Sequence, residues 1–241
     1  MPETRQAREA WKQWRVVAKV DPDKPLSPSQ VAGLAASGVD AVVLGGTQGI
    51  TRAKVAAAHA LLVPTGLPLA VEVSTAEAIV PDIDLFLVPV VLNTLDVRWI
   101  TGAHQAVALA LRGHLDWSRV AAEGYIVLNP ASAVARLTSA RSPLAPEEAA
   151  AYAEVGVRVL GQPLIYLEYS GAYGSPDVVR ACRQALSGTA ARLFYGGGIA
   201  TPEQAAEMAA AADTIVIGNL VQSPDHARLA EVVAAARRAG E

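Results

Sequence analysis

Lys19 and Asp21 lie two residues apart at the end of the apolar run Val16-Val-Ala-Lys-Val-Asp21. In an extended strand such positions share a face, so with Val17 directed inward both charged groups stand above it at the strand's open end. An ammonium among valines is costly unless anions meet it. Two readings follow: a structural Lys19–Asp21 pair, or Lys19 holding a substrate phosphate while Asp21 offers a carboxylate to Mg2+. Magnesium takes one or two carboxylates and completes its shell with water and phosphate oxygens. A second run, Tyr166-Leu-Glu-Tyr-Ser-Gly171, puts Tyr166 and Glu168 on one face. Glu168 is the candidate general base, because a carboxylate in a partly apolar mouth can have its pKa raised toward a useful value. The competing reading is that it only pairs with Lys19. Ser170 and Gly171 follow in the loop, where they can bond a phosphate or hydroxyl.

Three glycine clusters also end apolar runs: Gly45-Gly-Thr47, Gly196-Gly-Gly198 and Gly218-Asn219. Glycine lets backbone N–H groups approach an anion closely, and Thr47 adds an oxygen. The last two clusters match the neutral phosphate cradle after strands 7 and 8 of a (β/α)8 barrel. They indicate phosphate, not a particular reaction. His59, His104, His114 and His226 show no spacing suited to zinc. Trp11, Trp14, Trp99 and Trp117 are expected to pack on helices. Glu72 and Glu123 receive no assignment.

Eight apolar runs supply the strands that would place these groups: Arg15–Val20, Asp40–Leu44, Leu67–Val73, Asp84–Val88, Gly124–Leu128, Leu164–Glu168, Arg192–Tyr195 and Thr214–Ile217. Eight is the closing number of a TIM barrel, and 241 residues suit one such domain over 1–241. Helical stretches lie between them, with start signals at Ser27-Pro28, Ala145-Pro146, Ser175-Pro176, Thr201-Pro202 and Ser223-Pro224. A polar helix is expected over Pro2–Gln13. Only Ser74–Ile83 separates the third and fourth strands, near the ~10–12 residues that a crossover requires. The third helix should be reduced or missing. Its place is then taken by a short helix or by a groove for something long and apolar.

A formal charge of −3 and a pI near 5.8 argue against nucleic-acid binding, which favours a basic face. The single cysteine, Cys182, sits in the helical stretch Pro176–Leu186 as a packed residue, and with no partner it fits a reducing cytoplasm. The amino terminus lacks the apolar core of a signal peptide, and no apolar run approaches the ~20 residues of a membrane span. These features predict a cytoplasmic protein and leave room for peripheral membrane contact.

Together, Lys19-Val-Asp-Pro22, Gly45-Gly-Thr47, Tyr166-Leu-Glu-Tyr-Ser-Gly171, Tyr195-Gly-Gly-Gly198 and Gly218-Asn219 resemble the geranylgeranylglyceryl phosphate synthase family. More narrowly they resemble its bacterial PcrB branch, the heptaprenylglyceryl phosphate synthases. Similarity extends through Pro64, Val71-Glu-Val-Ser74, Glu77-Ala-Ile-Val-Pro81, Val91-Leu-Asn93 and Trp99-Ile100. The resemblance implies a homodimeric, Mg2+-dependent TIM barrel. Its reaction transfers a prenyl group from a polyprenyl diphosphate to the C3 hydroxyl of sn-glycerol 1-phosphate. By matching position it implies that Lys19 and the loop Tyr166, Leu167, Glu168, Tyr169, Ser170 and Gly171 bind the acceptor. Gly198, Gly218 and Asn219 would hold its phosphate, Asp21 and Thr47 the metal, and Glu168 would take the hydroxyl proton. The family also carries its prenyl tail in an apolar groove where the third helix is absent. Gln48 stands where many members carry an acidic residue. A sister enzyme of this fold prenylates 3-phosphoglycerate instead. A phosphate-binding barrel isomerase or lyase would share the glycine cradle but need neither Asp21 with Thr47 nor a groove. A non-catalytic binder would hold ligand without turnover.

Overall fold

The computed structural model describes residues 9–240. Eight parallel strands pair in chain order, and the last pairs with the first: β1 (Val16–Val20), β2 (Ala41–Leu44), β3 (Leu69–Glu72), β4 (Leu85–Val91), β5 (Val120–Val127), β6 (Leu164–Glu168), β7 (Arg192–Gly196) and β8 (Thr214–Ile217). A strand covered on both faces reads as a near-continuous apolar run, and alternation then decides the direction of each side chain. Val16, Ala18 and Val20 pack outward under the helices, while Val17 packs inward with Val43, Ala70, Tyr125, Tyr166, Phe194 and Val216. Lys19 shares the inward parity of Val17. Trp11 and Trp14 join the inner cluster, Trp11 meeting Phe194 edge-on at 6.3 Å. They close the barrel floor and do not pack on helices as expected.

The surrounding helices are α1 (Pro28–Ala36), α2 (Arg52–Leu62), α3 (Gly102–Ala110), α4 (Ala133–Thr138), α5 (Pro146–Arg158), α6 (Pro176–Ala185), α7 (Pro202–Ala209) and α8 (His226–Ala239). Ser27 and Thr201 start α1 and α7 through reciprocal bonds with Gln30 and Gln204. Ala145-Pro146 and Ser175-Pro176 likewise begin α5 and α6. The signal at Ser223-Pro224 misses by two residues. Asp225 caps α8, accepting from Arg228 N–H at 3.0 Å, while Ser223 Oγ accepts from Asp225 N–H at 3.1 Å.

Between β3 and β4 there is no α-helix, only the 3-10 turn Ala76–Ala78. The outward residues of β4, Phe86, Val88 and Val90, are therefore half-buried where the barrel's third helix would cover them.

Three boundaries differ from expectation. Of the segment Pro2–Gln13, residues 2–8 lie outside the described residues, and Ala10–Gln13 is a 3-10 turn. Strand β5 begins at Val120, not Gly124, because it pairs with β4 from Phe86 onward despite its weak strand formers Ala121, Ala122 and Glu123. Strand β4 runs through Pro89 to Val91. Val73 N–H bonds Leu87 O, so the odd residues of β4 direct their polar groups toward β3, which ends at Glu72. The missing proline N–H thus falls beyond the last partner and breaks no ladder bond. The Pro89 carbonyl on that side accepts from His104 Nε2 at 2.8 Å instead.

Candidate active site

At the carboxyl ends of the strands, Lys19 from β1 reaches Glu72 from β3. Its Nζ lies 2.9 Å from each carboxylate oxygen of Glu72, and 3.8 Å from Glu168 Oε2. The structural Lys19–Asp21 pair, one of the two readings of these residues, does not form. Asp21 accepts from Asp23 N–H at 3.0 Å and lies 3.6 Å from Lys24 Nζ, within a turn closed by Lys24 N–H on Asp21 O at 2.9 Å. Glu168 is only 2% exposed and is fixed at both oxygens. Tyr125 Oη donates to Oε2 at 2.6 Å, and the Ser170 N–H donates to Oε1. The Tyr125 and Tyr166 rings stack at 4.9 Å, and the Lys19 ammonium sits 5.4 Å from the centre of the Tyr166 ring.

One ammonium therefore serves a ring of buried carboxyls. Burial alone would lower the Lys19 pKa, but the charge of Glu72, then Tyr166 and Glu168, outweighs it and holds the pKa well above its ordinary value. Glu72 is pushed up by burial, Lys19 opposing and Glu168 adding to the rise. The two directions agree physically, since the cation gains from several neighbours while the carboxylates crowd one another. Glu123, inward on β5, is fully buried with neither oxygen hydrogen-bonded. Burial, then the charge of Glu72, drives its carboxyl well above the usual range and favours the neutral acid. A carboxyl raised in the folded state contributes stability below its unfolded value, lost as pH rises toward the folded one. Glu123→Gln cannot ionise, so its melting temperature should gain on wild type as pH rises from about 4 to about 8. Melts at the two pH values with an unchanged gap would refute the assignment.

Lys19, Asp21, Thr47, Tyr166, Glu168, Ser170, Gly171, Gly198, Gly218 and Asn219 line one cavity of about 190 Å³. The side chains of Leu167 and Tyr169 leave the site by alternation. Leu167 is buried in the outer core, and Tyr169 packs on Tyr195 at 5.9 Å, so neither side chain contacts an acceptor there. Tyr195 Oη accepts from Gly174 N–H at 2.8 Å and donates to Gly197 O at 2.9 Å, tying together the loops after β6 and β7. The 3-10 turn Asn219–Gln222 follows Gly218 and completes the far wall. Among the described residues no group of three His, Cys, Asp or Glu side chains is placed to cage a metal. The hard oxygens of Asp21 and Thr47 suit a Mg2+ whose remaining ligands are water and phosphate oxygens.

A second cavity, of about 570 Å³, opens beside the first and shares Lys19, Gly46, Thr47 and Ser170 with it. Its floor is Phe86, Val88 and Val90 of β4 with Val120 and Ala122 of β5, and α3 covers it with Val107 and Ala108. Trp99 and Trp117 line this groove, and Trp117 is 65% exposed there and not packed on a helix as expected.

A family model described as the PcrB family matches residues 9–236. The chain belongs to the PcrB family. A heptaprenylglyceryl phosphate synthase of Geobacillus kaustophilus is 43% identical over 228 residues, spanning 95% of each chain. A geranylgeranylglyceryl phosphate synthase of Methanoregula boonei is 47% identical over 212 residues, 88% of this chain and 92% of that one. In fold, the chain is similar to the (S)-3-O-geranylgeranylglyceryl phosphate synthase of Thermoplasma acidophilum solved with sn-glycerol-1-phosphate, at TM-score 0.81 and 24% identity over 97% of each.

Within this PcrB-family site, sequence reasoning missed Glu72 and Tyr125. Tyr125 lies in an apolar run and reads as core. The signal for Glu72 was Gly45. Lys19 and Glu72 stand on β1 and β3 with β2 between them, so their contact requires a position on β2 without a side chain. A Cβ on Gly45 would come within 3.0 Å of Glu72 Cβ and 3.3 Å of Lys19 Cε.

Proposed function

We propose that this chain transfers a polyprenyl group from a polyprenyl diphosphate to the C3 hydroxyl of sn-glycerol 1-phosphate, forming an ether and releasing diphosphate. The junction of a neutral glycine cradle with an apolar groove, at Lys19, Gly46, Thr47 and Ser170, carries this reading. A phosphate held by the Gly198 and Gly218–Asn219 backbone leaves the rest of a three-carbon acceptor to reach Glu168. Glu168, held by Tyr125 and Ser170, takes the hydroxyl proton as the oxygen bonds the allylic carbon and the carbon–diphosphate bond breaks. The prenyl tail lies between β4, β5 and α3. The relatives' names support the same chemistry.

Asp21 and Thr47 would hold Mg2+, and bound Mg2+ supplies charge neutralisation for the departing diphosphate. The acceptor reading favours glycerol 1-phosphate over 3-phosphoglycerate. A carboxylate beside the reacting hydroxyl would face Glu168 and Glu72, and the one cation among them, Lys19, already bonds both oxygens of Glu72. The reading includes a homodimer and contact with a lipid surface. Exposed Val155, Val159 and Leu160 at the end of α5 suit a second copy, and Leu109 and Trp117 beside the groove suit lipid. Among the described residues no helix is long and apolar enough to cross a membrane.

The test is turnover of radiolabelled glycerol 1-phosphate and 3-phosphoglycerate with donors of graded length, with Mg2+ and after chelation. Ether product from glycerol 1-phosphate, lost on chelation and restored by Mg2+, is expected. Turnover unaffected by chelation would remove the metal, and turnover of 3-phosphoglycerate alone would reassign the acceptor. Ala122→Trp should block the groove, raising KM for long donors about tenfold or more while sparing the shortest. An equal response across donor lengths would place the tail elsewhere.

A further inference from the structure

Lys19 stands between two buried carboxylates and bonds only one. Both oxygens of Glu72 are at 2.9 Å, whereas Glu168 at 3.8 Å is beyond a hydrogen bond. The geometry is built in, because Lys19 and Glu72 meet above β2 through the gap left by Gly45. Glu168 has its own partners, Tyr125 Oη and the Ser170 N–H, so it does not need the ammonium to be satisfied.

We propose that Glu72 is a positioning residue for the transfer reaction: by holding Lys19 at both its oxygens it keeps the ammonium off Glu168 and leaves that carboxylate free to accept the acceptor's proton. The inference rests on the base role given to Glu168 above. Without the Glu72 charge, Glu168 is the nearest anion to Lys19, and closing from 3.8 Å to hydrogen-bond distance would stabilise its ionised form. A weaker base has less driving force for proton transfer. The groups facing Glu168 are Lys19 from β1, Glu72 from β3, Glu123 and Tyr125 from β5, Tyr166 on its own strand, and Tyr195 from β7. Of these, Lys19 is the cation, so its position sets the largest opposite-sign effect.

The test compares the pH dependence of kcat in wild type, Glu72→Gln and Glu72→Asp, with saturating acceptor, donor and Mg2+. In Glu72→Gln the plateau of kcat should fall about tenfold or more, and its acid limb should move to lower pH. The acceptor KM should change less than about threefold. Glu72→Asp retains the charge one methylene further back and should give values between the two. A crystal structure of Glu72→Gln should show Lys19 Nζ bonded to Glu168. An unmoved acid limb, or a change confined to the acceptor KM, would overturn the proposal. So would a Gln variant that fails to fold beside an Asp variant with a wild-type limb, since Glu72 would then serve stability alone. If wild type shows no transfer with any donor, the base role fails. Carboxyl carbon NMR titration of Glu168 in the resting protein still decides the inference: a lower titration midpoint in Glu72→Gln upholds it, and an unchanged one refutes it.

Discussion

Glu168→Gln should lower kcat by about 100- to 10,000-fold, while the acceptor KM stays within about threefold. The amide keeps the shape of the carboxylate and can still accept the Ser170 N–H through its oxygen, so the surrounding loop stays in place. It cannot take a proton at neutral pH, and the attacking hydroxyl then reaches the allylic carbon without a base. The 2% exposure of Glu168 strengthens the expectation, because bulk water is excluded from its oxygens as a substitute. Steady-state kinetics check this, and comparable turnover in wild type and variant would remove Glu168 from the chemistry.

Gly198→Ala should weaken acceptor binding by about 100-fold or more, the loss of roughly two charge-assisted backbone bonds to phosphate. Gly198 adopts φ +60°, a left-handed conformation that disfavours any side chain. A Cβ there would also fall 2.2 Å from Tyr173 N and 2.3 Å from Ala172 C. Those are backbone atoms of the loop after β6, so relief requires moving the loops that form the cradle. Calorimetric titration with glycerol 1-phosphate measures the effect. An affinity within about threefold of wild type would place the phosphate elsewhere.

The barrel was legible because the strands are largely apolar runs, six of which end in or just before glycine or a charged group. The short segment after β3 foretold a reduced or missing helix and left a groove as one of two readings, the one the structure shows. The less legible parts depended on register. The fourth apolar run was read as ending at Val88, yet β4 continues through Pro89, whose absent N–H points past the end of β3 and costs the sheet nothing. The partner of Lys19 could not be found from neighbours in the chain, since Glu72 lies two strands away and meets it only above Gly45. Tyr125 was hidden for another reason: a hydroxyl in an apolar strand becomes informative only when the opposing Glu168 is known. Leu167 and Tyr169 show the converse error. A motif groups contiguous residues, whereas a strand sends alternate side chains to opposite faces.

The most direct measurement is a crystal structure with glycerol 1-phosphate and an unreactive thio-linked polyprenyl diphosphate. The account predicts the acceptor phosphate on the Gly198 and Gly218–Asn219 backbone, its C3 hydroxyl within hydrogen-bond reach of Glu168, and the tail over Phe86, Val88 and Val90. A hydroxyl directed away from Glu168, or a tail lying outside the β4–α3 groove, would contradict it.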